Sequence, residues 1–440
     1  MRAFWNGSGT ASLVRLASVS GTRALLLALP SRSQRACGDL RALRDDLSEA
    51  ERTLAEVSGT VEMPERADGS LILVVLGAGG QPLSYRVLGG AGDFRVVVGT
   101  STVGVFVFLD RNDDLRYDAN EAYAWQPLSG AEIAGQAVGG LRLVVRPAAA
   151  GETPPLPPRV SLQDVRQRWV EGIDLQLGRL ARLDDARFAP EMAEFGMWQP
   201  VAFMKAGLAG IYFLEPYSPA KVPVLLVHGM HGTPRDLAPF IARLDRKRYQ
   251  PWLYYYPTGV EVDSAANGLF GMLNKLRREY DYPRLHLVGY SMGGLVTRAF
   301  FDFFAREGEC GEVRSLLTLA SPFAGDAWAE RGVKHAPVVM PVWRSLAPDS
   351  EFMRTLFAQP LPDDVRHQLV FAYRNDEKGA SGDGVVPLAS QLRPEAQRQA
   401  SAVFGVNADH LGILAQPEVA ERAQAWWAGD EEKAKGAAAQ

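Results

Sequence analysis

A serine at the apex of a glycine-rich turn carries the clearest chemical signal in this sequence of 440 residues. Glycines lie two positions before and two after the serine in Gly289-Tyr290-Ser291-Met292-Gly293. An apolar run at 285–288 precedes the motif, and a helical pattern follows from 295. Such a strand, tight turn and helix hold the hydroxyl above the sheet edge, where helix amides favour a developing negative charge. We predict that Ser291 is a nucleophile, the alternative being a plain glycine turn.

The base that activates this hydroxyl is predicted to be His410, because a free serine is a weak nucleophile at neutral pH. His410 follows the last predicted strand. A loop there lies over the carboxyl ends of a parallel sheet, where ligands bind. Of the six histidines, His286 lies inside the strand before Ser291, and His335 and His367 lie in or beside a helical segment. The alternative for His410 is a surface loop histidine.

A carboxylate behind the histidine holds its tautomer and stabilises the imidazolium. We predict Asp383 for this role, because the glycines on either side of it let a bare turn present the side chain. Asp326 and Asp376 also follow strands and are rivals, with a helix N-cap and a loop ion pair as their alternative roles.

Two backbone amides are predicted to bind the negatively charged oxygen of a tetrahedral intermediate. One belongs to Met292, directly after the serine, and the other to Met230 in the turn His228-Gly229-Met230-His231-Gly232. The glycines let the main chain approach a substrate. For His228 and His231, a role in stabilising the turn is favoured over chemistry.

The elements that must position these residues occupy 211–426, where strands and helices alternate. This alternation predicts a mostly parallel sheet with helices on both faces. Residues 326–366 form an apolar insertion between two strands, predicted to be a lid or acyl-chain wall, with ordinary helix packing as the alternative. Residues 427–440 are predicted to be a disordered tail.

The N-terminal half is predicted to form a separate, all-β unit. Residues 58–148 alternate with a period of two between glycine-rich turns, which is typical of a small β-sandwich. They resemble the transthyretin-like modules attached to many secreted enzymes. An amphipathic helix at 37–57 precedes them, either packed on the next domain or acting as a stalk. A proline-rich linker and helices are expected at 149–210.

An acidic loop lies within the predicted sandwich. The positions of its polar residues match those of a calcium loop: Asp110, Asn112, Asp114, Asp118 and Glu121. The sixth position, where a calcium loop has glycine for the sharp turn, is Leu115. We therefore favour a solvated turn whose side chains cap their own backbone over a metal site.

Residues 1–36 resemble a leader, with arginines before a short apolar patch at 24–29. Cys37 then resembles the lipid-modified cysteine of bacterial lipoproteins, although Gln34 and Arg35 depart from that signal. We expect attachment to the cell envelope and membrane association through the N-terminus, with a cytoplasmic protein as the alternative.

The amino-acid composition excludes some classes of partner and of structural site. A net charge of −4 gives no sign of a nucleic-acid partner. Only two cysteines occur, Cys37 and Cys310, far apart in the chain, which disfavours a disulfide framework or a cysteine metal site. No apolar run approaches the ~20 residues of a membrane span.

Together the motifs at 228–230, 289–294, 382–387 and 409–410 resemble those of the α/β-hydrolase superfamily, in particular its serine lipases and esterases. The resemblance covers 215–425, and residues 318–325 are similar to a stretch of triacylglycerol lipases. It implies hydrolysis of a small-molecule or lipid carboxylic ester through an acyl-serine intermediate, with no cofactor. An acyltransferase or thioesterase with the same site remains open, as does a non-catalytic envelope scaffold. The expected fold is an α/β hydrolase preceded by an all-β sandwich domain and an N-terminal helix.

Overall fold

The computed structural model describes residues 32–63, 68–133, 137–149, 151–170, 172–307, 312–375 and 382–438. The leader up to residue 31, Cys310 and Asp376 lie outside these ranges. Within them, no helix is both long and apolar enough to cross a bilayer.

The strands, in chain order from β1, are Leu54–Glu62, Ser70–Leu76, Pro82–Leu88, Gly92–Gly99, Gly104–Asp110, Tyr123–Pro127, Val138–Val144, Arg168–Val170, Ile173–Asp174, Gln176–Leu180, Gly210–Phe213, Val222–Val227, Tyr249–Tyr255, Leu285–Tyr290, Val313–Leu319, Arg366–Tyr373 and Ala402–Asn407 (β17). The helices, from α1, are Arg32–Thr53, Gly130–Ile133, Pro190–Trp198, Pro200–Lys205, Ala238–Ile241, Val262–Glu279, Met292–Glu307, Ala327–His335, Pro341–Leu346, Glu351–Thr355, Leu388–Gln391, Pro394–Gln399 and Pro417–Ala438 (α13).

The main sheet has the strand order β10-β11-β13-β12-β14-β15-β16-β17. From β13 to β17 every neighbouring pair is parallel, whereas β11 runs antiparallel to β13. The predicted mostly parallel sheet is therefore confirmed. The chain segments that follow β12, β14, β16 and β17 all leave from the same edge, because parallel strands end on one side of a sheet.

The first strand of this sheet corrects the predicted domain boundary. The sequence predicts a linker and helices at 149–210, but β10 pairs with β11 and belongs to the main sheet. Short helices do follow, at α3 and α4. The strand escapes a pattern search because it is a five-residue edge strand with a glycine, Gly178, and polar residues at Gln176 and Arg179.

The N-terminal helix also has bounds different from the prediction of 37–57. The structure gives α1 as Arg32–Thr53, and β1 begins at Leu54. β1 pairs antiparallel with β4 and parallel with β7, so its backbone is bonded on both sides. Ala55 and Val57 face the core in alternation, a pattern that overlaps the helical spacing up to Val57.

Helix α1 packs on the α/β domain. Leu43 is fully buried in the main core, and the buried Asp46 accepts the backbone amides of Val201 and Ala202 at 2.8 Å each. These amides are unpaired donors in the first turn of α4, so Asp46 acts as an N-cap supplied from a distant segment. The side chains of Lys205 and Glu49 form an ion pair beside this contact.

Strands β1 to β7 form a sheet of order β4-β1-β7 and another of order β3-β2-β5-β6. Side chains from both, including Val57 of β1 and Leu73 of β2, share one apolar core. The second sheet lies against helix α6. There the Nζ atom of the buried Lys275 lies 4.3 Å from the centre of the Tyr85 ring on β3. The same amine donates to the carbonyls of Arg166 and Arg168, before and in β8, at 3.0 and 3.3 Å.

The acidic loop at 110–121 is engaged with its own backbone. Asp110 accepts the amides of Asp114 and Leu115, and Glu121 accepts those of Arg111 and Asp118. Asp110 also lies 3.4 Å from the guanidinium of Arg278 on α6. In the parts of the chain that the structure describes, no cluster of His, Cys, Asp or Glu side chains is arranged to hold a metal.

The C-terminal segment differs from the predicted disordered tail at 427–440. Helix α13 spans Pro417–Ala438. Val419, Ala423 and Trp427 are fully buried and lie at helical spacing on one face. Trp427 stacks on His286 with ring centroids 4.6 Å apart. The tail prediction overlooked this spacing.

Candidate active site

The turn after β14 places Ser291 in a strained conformation. Its φ is +54°, a left-handed value that is uncommon for a residue with a side chain. The turn closes tightly enough that a Cβ on Gly289 would lie 2.5 Å from the Gly293 carbonyl oxygen. A Cβ on Gly293 would collide with the Val227 carbonyl oxygen on β12. The glycines are therefore required by the packing of the turn, as the sequence predicts.

Ser291, His410 and Asp383 are brought together from distant parts of the chain. The Nε2 atom of His410 lies 2.9 Å from Ser291 Oγ. On the other side of the ring, Nδ1 lies 2.7 Å from Asp383 Oδ2. A carboxylate only accepts hydrogen bonds, so the ring proton is on Nδ1 and Nε2 presents its lone pair to the serine hydroxyl. This arrangement lets the ring take a proton from the hydroxyl.

The Asp383 carboxylate is almost wholly removed from solvent, at 1 % exposure. Its Oδ1 accepts the amides of Val385 and Val386 at 2.8 and 2.7 Å. Its Oδ2 accepts from the side chain of Gln391 at 3.2 Å as well as from His410. These donors offset the cost of burying the charge and hold the carboxylate in one orientation.

Gln391 is a component of the site that sequence reasoning missed. Its amide group also bonds both backbone groups of Ala372, donating to the oxygen at 3.0 Å and accepting from the nitrogen at 2.8 Å. It therefore ties the Asp383 turn to strand β16. A glutamine near a helix end carries no sequence signal, because most such residues face solvent.

His410 is fixed through its main chain as well. Its amide donates to the Asp383 carbonyl at 3.2 Å, and its carbonyl accepts from the Tyr290 hydroxyl at 3.1 Å. Tyr290 directly precedes Ser291, so the segments that carry serine and histidine are joined next to the reacting atoms. Burial raises the pKa of Tyr290 far above its usual value, which keeps this donor protonated.

The two segments that carry the predicted oxyanion amides both adjoin Ser291. Met292 is the first residue of α7, whose amide end faces the serine. In the turn after β12, a Cβ on Gly229 would lie 2.9 Å from Ser291 Cβ, so this main chain is in contact with the nucleophile. Met230 follows Gly229 in that turn and is half-buried.

The rival side chains have other surroundings. His286 Nδ1 lies 2.7 Å from the Ser315 hydroxyl, and His367 Nε2 lies 2.8 Å from the Thr318 hydroxyl, both in the interior. Burial lowers the pKa of His367 to about 3. Asp326 accepts the amide of Trp328 at 2.7 Å and caps α8, its predicted alternative role.

His231, two residues after Gly229, is half-buried. Its Nε2 is 3.0 Å from a carboxylate oxygen of Glu194 on α3, and its φ is +54°. His335 is the last residue of α8. None of these rival histidines replaces His410 beside the serine.

Comparison with known families assigns the fold to a class. Residues 259–411 match a family described as "Alpha/beta hydrolase of unknown function (DUF915)". The matched range contains Ser291, Asp383 and His410. The fold is that of an α/β hydrolase, as the sequence predicts. A search of curated proteins finds no match.

Solved structures similar to this chain include hydrolases at low identity. A lipase from Bacillus licheniformis, BlEst2 in its mature form, has 17% identity over 47% of this chain and 92% of its own, with a TM-score of 0.38. A membrane phospholipase A described as a bacterial virulence factor has 18% identity over 50% and 83%, at 0.33. Naproxen esterase from Bacillus subtilis has 15% identity over 49% and 86%, at 0.32. At these identities and TM-scores, the similarity gives no information about the activity of this chain.

Proposed function

We propose that the protein is a serine hydrolase that cleaves carboxylic esters through an acyl-serine intermediate. The observation that carries the proposal is the unbroken hydrogen-bonded chain from Ser291 through His410 to Asp383, with the serine on a strained turn. A nucleophile, a base and a group that orients the base, at these distances, are the parts that acyl transfer requires.

In the first half of the reaction, Ser291 Oγ attacks the ester carbonyl carbon while His410 Nε2 accepts the hydroxyl proton. Asp383 stabilises the imidazolium without taking its proton. The carbonyl oxygen becomes an oxyanion that accepts from the Met292 and Met230 amides. Collapse of this intermediate breaks the ester C–O bond, and His410 returns the proton to the departing alcohol. The acyl group remains on Ser291.

In the second half, a water molecule replaces the alcohol. His410 takes a proton from the water as its oxygen attacks the acyl carbon, and a second oxyanion forms at the same amides. Its collapse releases the carboxylic acid, and the proton on His410 returns to Ser291 Oγ. The enzyme is regenerated, and one water is consumed for each ester cleaved.

Labelling with a fluorophosphonate tests this proposal, because the reagent reacts with an activated serine. We expect wild-type protein to be labelled and Ser291→Ala to remain unlabelled. Ser401→Ala, which alters an exposed serine of the same domain, is the matched control and should label as wild type does. Absence of label on folded wild-type protein would instead favour the scaffold interpretation.

Hydrolysis assays then define the reaction class. Wild-type protein is tested on p-nitrophenyl esters of increasing acyl length, a thioester and phospholipid vesicles, with Ser291→Ala as the blank. Ester hydrolysis that disappears in Ser291→Ala is the expected result. Turnover that requires an added acceptor alcohol would point to acyl transfer, and selective cleavage of the thioester would point to a thioesterase.

A further inference from the structure

The turn after β12 is held by a ladder of side-chain hydrogen bonds, one to each of three successive peptides. The Tyr256 hydroxyl donates to the His228 carbonyl at 2.9 Å. The imidazole of His228 lies with Nδ1 3.0 Å from the carbonyl oxygen of Gly229. The His231 amide donates to the Thr258 hydroxyl at 3.2 Å. In each of the three peptide groups between His228 and His231, one backbone polar group, a carbonyl or an N–H, is therefore held by a side chain.

The protonation of His228 follows from its partner. A carbonyl oxygen only accepts, so Nδ1 carries the ring proton and donates it to Gly229. The other ring nitrogen, Nε2, is buried and finds no hydrogen-bond partner among the described residues. Burial lowers the pKa of His228 to about 4, which keeps the ring neutral near pH 7.

The middle bond of this ladder sets the direction of a predicted oxyanion donor. The Gly229 carbonyl and the Met230 N–H belong to one planar peptide and, in its trans form, point in opposite directions. Fixing the carbonyl against His228 therefore aims the Met230 N–H away from that ring. In the part of the chain that the structure describes, no acceptor takes this amide hydrogen. The same peptide begins at Gly229, which contacts Ser291.

We propose that His228 is a positioning residue that orients the Met230 amide toward the oxyanion formed at Ser291. The inference rests on the proposed function. The ring is itself held in place, stacked on Tyr256 with centroids 4.6 Å apart and planes 23° from parallel. Its contribution is preorganisation, because the donor already points at the place where charge develops.

The test compares two substitutions of His228, by asparagine and by glutamine, whose side-chain amides place their N–H groups at different positions. In His228→Asn the amide nitrogen takes the place of Nδ1, so the bond to Gly229 is kept. In His228→Gln the nitrogen takes the place of Nε2, so the bond is lost while size and polarity are retained. Rates on a p-nitrophenyl ester are normalised to active sites titrated with a fluorophosphonate, and a trifluoromethyl ketone reports oxyanion binding through its hemiketal.

We expect His228→Gln to lower kcat by roughly 10- to 100-fold with little change in KM. Complete removal of one oxyanion donor lowers kcat by ~100- to 1,000-fold, and a donor that points in the wrong direction should cost less than that. Affinity for the ketone should fall in parallel. His228→Asn should stay within about threefold of wild type. His367→Leu, at another buried neutral histidine in the same sheet, is the control and should lose stability but keep kcat per titrated site.

Two results would overturn the inference. One is a His228→Gln enzyme with wild-type kcat and ketone affinity. The other is a His228→Asn enzyme that folds like wild type yet loses as much kcat as the glutamine variant. If His228→Gln does not fold, Tyr256→Phe removes only the neighbouring hydroxyl, and unchanged kcat and ketone affinity in that variant would count against the ladder. Wild-type activity in Ser291→Ala would instead refute the proposed function itself.

Discussion

The side-chain amide of Gln391 donates to Asp383 Oδ2, the same oxygen that accepts from His410. The two donors approach one atom from different elements, the helix α11 and the loop after β17. The carboxylate cannot rotate without losing one of them. Its other oxygen is held by the amides of Val385 and Val386.

Replacing Gln391 should therefore affect both stability and catalysis. In Gln391→Met the backbone groups of Ala372 lose their partners in the interior, at a cost of about 1–3 kcal/mol in the free energy of unfolding. We expect kcat/KM to fall by about tenfold, because two backbone donors still hold Asp383. Denaturant unfolding and titrated steady-state rates measure the two effects. Unchanged kcat/KM would show that Gln391 supports only the fold.

Removing the charge of Asp383 should cost far more. In Asp383→Asn the amide favours the wrong tautomer of His410, and a loss of kcat on the order of 10⁴ is expected. The matched control is Asp326→Asn, at the rival carboxylate that caps α8. Asn is itself a good N-cap, so this variant should keep both activity and stability. A greater loss of kcat in Asp326→Asn would mean that the acid has been misassigned.

Lys275 should make stability depend on pH. Burial lowers the pKa of Lys275 from 10.5 to about 7 in the folded protein. Between these values the unfolded chain binds more protons than the native state, so stability from this group rises with pH, by at most about 1.4 kcal/mol per unit. The neutral amine retains two hydrogens for the carbonyls of Arg166 and Arg168.

The measurement is the free energy of unfolding at pH 7 and pH 9.5, for wild type and for Lys275→Met. The variant should lack the increase in the free energy of unfolding that Lys275 contributes between these pH values. The difference in the free energy of unfolding between wild type and variant should therefore change with pH. Equal differences at both values would mean that Lys275 stays charged at the contact between α6 and the β1–β7 unit.

Trp427 should be essential to stability although it lies where the sequence suggested a tail. It is fully buried against His286. We expect Trp427→Ala to lower the free energy of unfolding by roughly 3–5 kcal/mol. Trp426→Ala is the control at the neighbouring, half-buried ring and should cost less. Similar losses for the two variants would contradict the packing of α13.

The site could be predicted best from the sequence at positions where the backbone geometry requires a particular residue type. The tight turn at Ser291 requires glycines at 289 and 293, and a strand and helix around it are visible as apolar patterns. Asp383 and His410 could be predicted because each follows a strand of a parallel sheet. What the sequence could not show was how they are held, since neither the bonds of Gln391 to Asp383 and Ala372 nor the bond of Tyr290 to the His410 carbonyl leaves a pattern.

The structure departs from the sequence predictions at a sheet edge and at the ends of helices. Strand β10 is short and polar, so no period of two marks it. Helix α1 ends at Thr53, but the helical spacing of apolar residues continues to Val57, inside β1, where it coincides with the alternation of the strand. The predicted tail is covered by α13 up to Ala438, since Ala, Glu and Lys favour helices and the spacing of Trp427 with Val419 and Ala423 places it in the core.

The bond from Asp46 to the first turn of α4 has a mechanical consequence. The chain docks on the α/β body at α1, leaves it to build β1 through β7, and returns to it. Strands β1 to β7 therefore lie in a stretch of chain whose two flanking segments both belong to the α/β body. A force applied to the chain at α1 would act on the α/β body directly, through Asp46 and Leu43, and would leave strands β1 to β7 unstretched.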